Sequence, residues 1–435
     1  MVLHLRKSLD GLKQSSQVWY GTFKEFVILI GLVASRVDGD RFVLEDQGTV
    51  VTSVVLYVDN LLIFRYEGLI GQIKNRMRKT FRLHDLGSVS FYLSMNIERT
   101  REHHMIDIQQ NTYIRTILAK FRMVESTPVA KPMVMNLDKR KPDKAACDPT
   151  IYQSMIGSIM YAMTATRPDI EYGIGVVSRY NHDPRSEHMV ALKRVFRYLT
   201  GTKDWRLHSG RALEGESVLK CYVNSNYARS PDDYKLTSGL VITFGGAVDW
   251  QSRKQKSSAQ STTDAEKYAF GAGCMSVTQI SHLLNELGIP TIPQVFCNSQ
   301  SVIASIKNKI YCGTAVAHIA TKYYLAADMT RDKEINWTYI ATAELLADCF
   351  IKPLLKPAFL NQSAAMGMIW IGLVNGIGNS LGNGHGNGIK IATGNGIGNG
   401  VGKLIDWVRL FLGDPCCLIG SSSPLFTDFC LKWTW

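Results

Sequence analysis

The chain has 435 residues, of which 46% are hydrophobic and 20% are charged, and this balance excludes a mainly disordered protein. Its 49 Lys and Arg residues outnumber 37 Asp and Glu residues, so the formal charge of +12 favours a polyanionic partner such as nucleic acid. No apolar stretch approaches the ~18 residues that a membrane span needs, so no membrane partner is expected. The nine cysteines form no C-x-x-C pair, which argues against a zinc site or a disulfide framework and favours an intracellular location; whether it is cytoplasm or nucleus is undetermined.

The first strong local pattern is at residues 51–64, VTSVVLYVDNLLIF. Two apolar, β-branched runs flank a polar pair, which predicts a β-hairpin with Asp59 and Asn60 in its turn. Prolines mixed with charged residues predict a linker at 126–150. Other elements expected in this part are a helix over 68–82, strands over 89–97 and 104–109, and a helix over 112–121.

The second half of the chain begins with a helical block over 152–201 that is interrupted at Pro168 and again at 181–184. From residue 218 the order of elements is typical of an α/β domain with a mixed sheet. Residues 367–402 are about a third glycine, a composition that cannot bury a core. The strands are expected near 218–224, 238–244, 247–251, 294–298 and 335–340, and the helices near 262–286, 300–307, 318–330 and 342–352.

The hairpin turn carries the first candidate chemistry. A carboxylate at a hairpin tip can hold Mg²⁺ against a phosphate, and polymerases use several such carboxylates to bind two metal ions. An Asp-Asn pair is also a common plain turn. Taken alone, the pattern favours the plain turn.

Other motifs accompany the hairpin, and together they resemble the reverse transcriptase of copia-type retrotransposons. That family reads L-K-K-A-L-Y-G-L-K-Q, then A-W-Y, then Y-V-D-D, and the blocks here follow the same order from about residue 2 to about residue 355. The matching segments are LRKSLDGLKQ at 5–14, WY at 19–20, YVDN at 57–60, DLG at 85–87, TRPD at 166–169 and RYLTGT at 197–202.

A second set of motifs resembles the ribonuclease H of the same elements. The strings are TSG at 237–239, WQSRKQK at 250–256, STTDAE at 261–266 and LAD at 346–348. The resemblance implies four metal-binding positions, of which the family has Asp at the first and third. Here those four positions are Asn224, Glu266, Asn298 and Asp348.

The resemblance implies Mg²⁺ or Mn²⁺ as cofactor, with Asp59, Glu266 and Asp348 as the remaining carboxylate ligands. Asn offers one neutral carbonyl oxygen, so the replacements remove charge that a strongly hydrated cation needs. Losing one such electrostatic group commonly costs ~10²–10³ in rate, and losing two should abolish turnover. In the reverse transcriptase part, Asn60 replaces a second carboxylate, and the upstream strand that carries the third is expected to be missing. We therefore expect neither metal centre to be functional.

The expected nucleic-acid contacts are Lys13 and Gln14 in the first motif and Lys193, Arg194 and Arg197 in the helical block. For the last three, a solvated helix face is an equally good explanation of the sequence. The expected partner is an RNA–DNA hybrid or a template–primer, and the sequence predicts no oligomeric state.

The predicted fold class is α/β (α+β), in four segments. These are the remainder of a reverse transcriptase palm and thumb (1–125), a linker with a helical connection region (126–215), a ribonuclease H-like mixed-sheet domain (216–356) and a Gly/Asn-rich low-complexity tail (357–435). The predicted function is that of a catalytically degenerate piece of a copia-type polyprotein whose ancestor combined RNA-directed DNA synthesis with hybrid hydrolysis. One alternative is a binding module for RNA–DNA hybrid without catalysis. The other is a chain that does not fold stably, because an incomplete palm exposes strand edges.

Overall fold

The computed structural model describes residues 15–57, 60–100, 105–134, 145–210, 219–226, 236–255, 262–307, 317–370 and 426–433. The chain divides into two compact units. Unit 1 comprises residues 1–92, 282–290 and 408–435, and unit 2 comprises residues 93–281 and 291–407.

The helices and strands are as follows in chain order. The first half contains α1 (Ser15–Leu29), β1 (Val33–Ala34), β2 (Arg41–Asp46), β3 (Thr49–Tyr57), β4 (Asn60–Tyr66), α2 (Glu67–Thr80), β5 (Leu83–Ser88), β6 (Phe91–Tyr92), β7 (Met95–Thr100), β8 (Met105–Gln109), α3 (Asn111–Lys120), α4 (Pro149–Ala165), α5 (Glu171–Val177), α6 (Ser186–Thr202) and β9 (Trp205–Ser209). The second half contains β10 (Lys220–Asn226), β11 (Thr237–Thr243), β12 (Ala247–Lys254), α7 (Thr262–Glu286), β13 (Gln294–Cys297), α8 (Gln300–Lys307), α9 (Ala317–Arg331), β14 (Asn336–Tyr339), α10 (Lys356–Ala365), β15 (Met368–Trp370) and β16 (Phe426–Trp433).

Unit 1 is built on an antiparallel sheet with the strand order β1-β2-β3-β4-β16-β5. The predicted hairpin is confirmed as β3 and β4, which pair from Thr52 opposite Arg65 to Tyr57 opposite Asn60. Asn60, expected in the turn, is instead the first residue of β4, because it already pairs with the last residue of β3. Helices α1 and α2 bury apolar side chains against one face of this sheet. Successive side chains of a strand point to opposite faces, so every second residue of these strands faces the helices. The shared core contains Phe23 and Val27 of α1, Phe42, Val54 and Ile63 of the strands, and Ile70 and Met77 of α2.

The helical part of unit 2 packs α3, α4, α5 and α6 around one apolar core that includes Ile114, Tyr152, Ile159, Leu192 and Phe196. Helix α4 begins where the sequence supplies both an N-terminal capping residue and a residue that suits the first position of a helix. The side chain of Asp148 accepts a hydrogen bond from the backbone N–H of Thr150 at 2.8 Å, and Pro149 occupies the first helical position, where no N–H is needed. Strands β7, β8, β9 and β15 form a separate antiparallel sheet in this unit.

The mixed sheet of unit 2 has the order β12-β11-β10-β13-β14. Strands β10, β11 and β12 are antiparallel neighbours, whereas β13 runs parallel to both β10 and β14. Helix α7 lies so close to β10 that a methyl group placed on Gly273 would be 2.2 Å from Cγ1 of Val223. A methyl group placed on Gly239 of β11 would be 2.8 Å from the carbonyl oxygen of Ala347, so this strand is also packed closely by the segment that carries Asp348.

Two predicted elements differ from the structure. The helix expected over 342–352 is instead a pair of 3₁₀ turns, Thr342–Glu344 and Leu346–Phe350, because Leu345 between them has an extended backbone. The strand expected over 89–97 is interrupted, since Leu93 and Ser94 have φ of 46° and 58°, which a strand cannot accommodate. Residues 371–425, which contain nearly all of the glycine repeats, lie outside the described residues. Within the described ranges, no helix is both long and apolar enough to cross a membrane.

Asp249 on β12 gives the domain a testable pH dependence. Burial raises the pKa of Asp249 to about 7, against hydrogen bonds from Trp250 and Gln251 and the charge of Arg253, which lower it. Between about pH 4 and 7 the folded protein then binds a proton that the unfolded chain has lost, so stability falls as pH rises through this window.

We expect Asp249→Asn to raise the free energy of unfolding by about 2 kcal/mol at pH 8 and to leave it almost unchanged near pH 4. Urea unfolding at the two pH values measures this difference. The exposed Glu334→Gln serves as the control, with a change below about 0.5 kcal/mol at both. Equal effects of Asp249→Asn at pH 4 and pH 8 would contradict the assignment.

Candidate metal centre and nucleic-acid interface

The sheet topology places two of the four expected metal-binding positions side by side. In the parallel pair of β10 and β13, Val223 stands opposite Cys297. The next residues, Asn224 in β10 and Asn298 directly after the last residue of β13, therefore lie beside each other at the same end of the pair.

Asp348 is a third of the four expected metal-binding positions, and like Asn224 it is buried. It lies in the second 3₁₀ turn and is only 3% exposed. The Nδ2 of Asn224 donates a hydrogen bond to Oδ1 of Asp348, and the Nζ of Lys352, four residues later, forms an ion pair with Oδ2. Both carboxylate oxygens of Asp348 are therefore engaged by groups of the chain itself.

The amide of Asn224 is oriented by its second hydrogen bond. Its Oδ1 accepts from the backbone N–H of Ser225 at 2.8 Å, so its NH₂ group is the part that faces the carboxylate of Asp348. The reverse orientation would place an oxygen lone pair against a carboxylate oxygen. This Asn thus presents a donor where a metal ligand must present an oxygen.

Glu266 lies in the second turn of α7, near the same cluster. The pKa of Glu266 is raised to about 7, mainly by burial and also by the charge of Asp348, although hydrogen bonds from Ser225 lower it. Its Oε2 is buried without a hydrogen-bond partner among the described residues. Asn298 is half-buried, and its Nδ2 donates to Oγ1 of Thr342 at 3.1 Å.

These residues do not fit a pair of divalent cations. Two carboxylates remain, one of them already bonded to an amide and an ammonium group, and the two amides use their NH₂ groups within the protein. Across the described ranges, no three His, Cys, Asp or Glu side chains are grouped so that they could hold a metal ion. The contact with Lys352 was missed in the sequence, although its spacing of four residues from Asp348 is a known signal for an ion pair within helical structure.

In unit 1, the structure tests only part of the other candidate centre. Asn60 is the first residue of β4 and stands opposite Tyr57. Asp59, Lys13 and Gln14 lie outside the described residues.

The three basic candidates on α6 have different environments. Lys193 is exposed, whereas Arg194 is half-buried, and burial together with the nearby charge of Arg197 lowers the pKa of Arg194. Arg197 donates from Nε to the backbone carbonyl of Thr127 at 2.7 Å, so it ties α6 to the preceding segment. Of the three, Lys193 is the side chain that is open to a phosphate.

Comparisons with known proteins agree with the motif pattern. Residues 1–135 match the family model described as reverse transcriptase (RNA-dependent DNA polymerase). The retrovirus-related Pol polyprotein from transposon TNT 1-94 of Nicotiana tabacum is 34% identical over 381 residues, which is 85% of this chain and 28% of that protein. The corresponding protein from transposon RE1 of Arabidopsis thaliana is 31% identical over 374 residues, 84% of this chain and 25% of that protein. The chain thus spans about a quarter of the length of these curated relatives.

Solved structures give a weaker likeness. The foamy viral protease-reverse transcriptase in complex with RNA/DNA hybrid matches 77% of this chain and 39% of that chain at 12% identity, with a TM-score of 0.37. LC11-RNase H1 in complex with RNA/DNA hybrid matches 31% of this chain and 93% of that chain at 14% identity, with a TM-score of 0.25.

Proposed function

We propose that this chain, a segment of a copia-type retrotransposon Pol polyprotein whose residues 1–135 belong to the reverse transcriptase family, has lost its ancestral activities. Those ancestral activities are RNA-directed DNA synthesis and ribonuclease H cleavage. Reverse transcriptase and ribonuclease H families use divalent metals in general. The observation that carries the proposal is the hydrogen bond from the NH₂ group of Asn224 to Asp348.

The chemistry of that contact explains the expected loss. Two-metal hydrolysis needs negatively charged oxygens that hold both ions while they bind the attacking and leaving oxygens of the phosphate. Asn224 and Asn298 contribute no charge, and an ion approaching Asp348 would first have to displace the amide and the ammonium group of Lys352. Each such loss costs orders of magnitude in rate, and together they leave no useful turnover.

The second candidate function is binding of RNA–DNA hybrid without cleavage. It is favoured by the formal charge of +12 and by the exposed Lys193. Two missing carboxylates also reduce the repulsion that a phosphate backbone meets at this end of the sheet. Intracellular location, in cytoplasm or nucleus, belongs to the same proposal.

We expect the purified chain to cut an end-labelled RNA–DNA hybrid no faster than the buffer control, in either Mg²⁺ or Mn²⁺. The matched control is Glu266→Ala, whose background should equal that of the unchanged protein. Turnover that depends on metal and disappears in Glu266→Ala would overturn the proposed loss of activity.

Binding is measured on the same hybrid by gel shift at several salt concentrations. A bound hybrid should be released as salt rises, and Lys193→Ala should weaken binding and lower the salt slope by about one unit. Lys24→Ala, an exposed lysine on α1 of unit 1, is the control. Equal weakening by both variants would assign the affinity to net charge rather than to α6.

A further inference from the structure

The sheet of unit 1 contains a strand that comes from far along the chain. Strands β4 and β5 are not hydrogen-bonded to each other, and β16 lies between them. Residues 426–433 lie beyond residue 355, where the resemblance to the retrotransposon enzymes ends, in the segment expected from composition to be a low-complexity tail. One side of β4 and one side of β5, which would otherwise be open strand edges, are therefore covered by the chain itself.

The pairing is extensive on both sides. Strand β16 runs antiparallel to β4 from Phe426 opposite Tyr66 to Lys432 opposite Asn60. It also runs antiparallel to β5, with Trp433 opposite Leu83 and Phe429 opposite Ser88. Its sequence, FTDFCLKW, is rich in the aromatic and branched residues that strands favour.

We propose that the gap between β4 and β5 is a strand-binding site and that its occupant is this chain's own segment 426–433, which completes the sheet beside the Asn60 hairpin. The inference goes beyond the proposed function and does not depend on whether the chain binds nucleic acid.

The energetic reason is the cost of open edges. Without β16, the N–H and C=O groups along one side of both β4 and β5 would lack partners, and such edges recruit strands from other molecules. A tethered strand docks in a unimolecular step, and the entropic cost of bringing two tethered ends together grows only slowly with the number of residues between them. Docking of the chain's own strand is therefore favoured over that of a second copy at ordinary protein concentrations.

The register allows a direct test in the full-length chain. Cys430 stands opposite Leu62 on β4. Directly opposed residues of antiparallel strands have Cα atoms about 4.5–5.5 Å apart, within the range that a disulfide accepts. In a background with Cys416→Ser and Cys417→Ser, the variant Leu62→Cys should form a disulfide with Cys430 under mild oxidation, identified by peptide mapping.

The matched control is Leu61→Cys. Leu61 is as deeply buried as Leu62, but it stands opposite Leu431, so it lies on the other face of the sheet from the pair formed by Leu62 and Cys430. We expect the yield of cross-link to Cys430 to be at least tenfold lower from position 61 than from position 62. Adding Leu431→Pro to the Leu62→Cys variant should reduce the yield similarly, because proline removes a backbone donor within an inner strand.

A non-reducing gel distinguishes the occupants. A cross-linked monomer would show that segment 426–433 of the same chain fills the gap between β4 and β5. A cross-link found only in disulfide-linked dimers would overturn the proposal, since the occupant would then be a second copy. Equal yields from positions 61 and 62, or no cross-link from either, would also overturn it.

Discussion

Asp169→Ala is expected to lower the free energy of unfolding by about 3–5 kcal/mol, the largest single effect we expect in this chain. Asp169 and Arg167 form an ion pair whose side chains are both 0% exposed. Arg167 donates to Asp169 through Nε at 2.9 Å and Nη2 at 2.7 Å, and through Nη1 to the backbone carbonyl of Thr202 at 2.9 Å. The hydroxyl of Tyr198 donates to the same carboxylate at 2.7 Å. Removing Asp169 would leave a guanidinium buried without its counter-charge.

Urea unfolding followed by circular dichroism measures the loss. The control is Asp204→Ala, because the pair of Arg115 and Asp204 is 55% and 35% exposed and such pairs contribute ~0–1 kcal/mol. The double variant Arg167→Met/Asp169→Leu should be less destabilised than the sum of its single changes, since it leaves no buried charge. A loss below 1 kcal/mol for Asp169→Ala would show that water reaches the pair.

The second large effect is expected from adding charge at the candidate metal centre. Asn224→Asp replaces the NH₂ donor to Asp348 with a second carboxylate at the same distance, close to Glu266. In metal-free buffer at pH 8 we expect a loss of about 2–3 kcal/mol from the missing hydrogen bond and the new repulsion. Millimolar Mn²⁺ should restore most of this stability, and the double variant Asn224→Asp/Asn298→Asp should respond more strongly.

Thermal unfolding with Mn²⁺ or with chelator provides the measurement. Asn224→Ala is the matched control, because it loses the same hydrogen bond but adds no carboxylate, so its midpoint should not respond to Mn²⁺. The unchanged protein should also unfold at the same temperature with and without the ion. Stabilisation of the unchanged protein by several degrees in Mn²⁺ would show that the present residues do bind the metal.

Local patterns were sufficient to predict the mixed sheet of unit 2. The predicted helices over 262–286 and 300–307 agree with the observed bounds, because long apolar periodicity and flanking polar residues are encoded within each segment. The hairpin of β3 and β4 was found for the same reason. The sequence therefore predicted where these elements begin and end, but it did not predict which residues they contact.

The features that were missed depend on partners distant in sequence. Strand β16 is defined by pairing with β4 and β5, more than 300 residues earlier, which no local pattern encodes. The sequence identified Asn224 and Asp348 as altered or retained ligand positions, but the donation from one to the other depends on how β10 meets a 3₁₀ turn 124 residues later. Arg167 and Asp169 were noted only as part of a motif, and their complete burial became visible only in the packed helices.

The close contact of Gly273 with Val223 also fixes the position of Glu266, which does not take part in that contact. Glu266 lies seven residues earlier on α7, which is about two helical turns, so it points from nearly the same side of the helix. Because no side chain separates helix and strand at Gly273, α7 has little freedom to slide or roll on β10. The packing of α7 on β10 thus fixes the backbone positions of the polar cluster. A residue in that cluster can be replaced by one of different chemistry without moving the backbone that carries it.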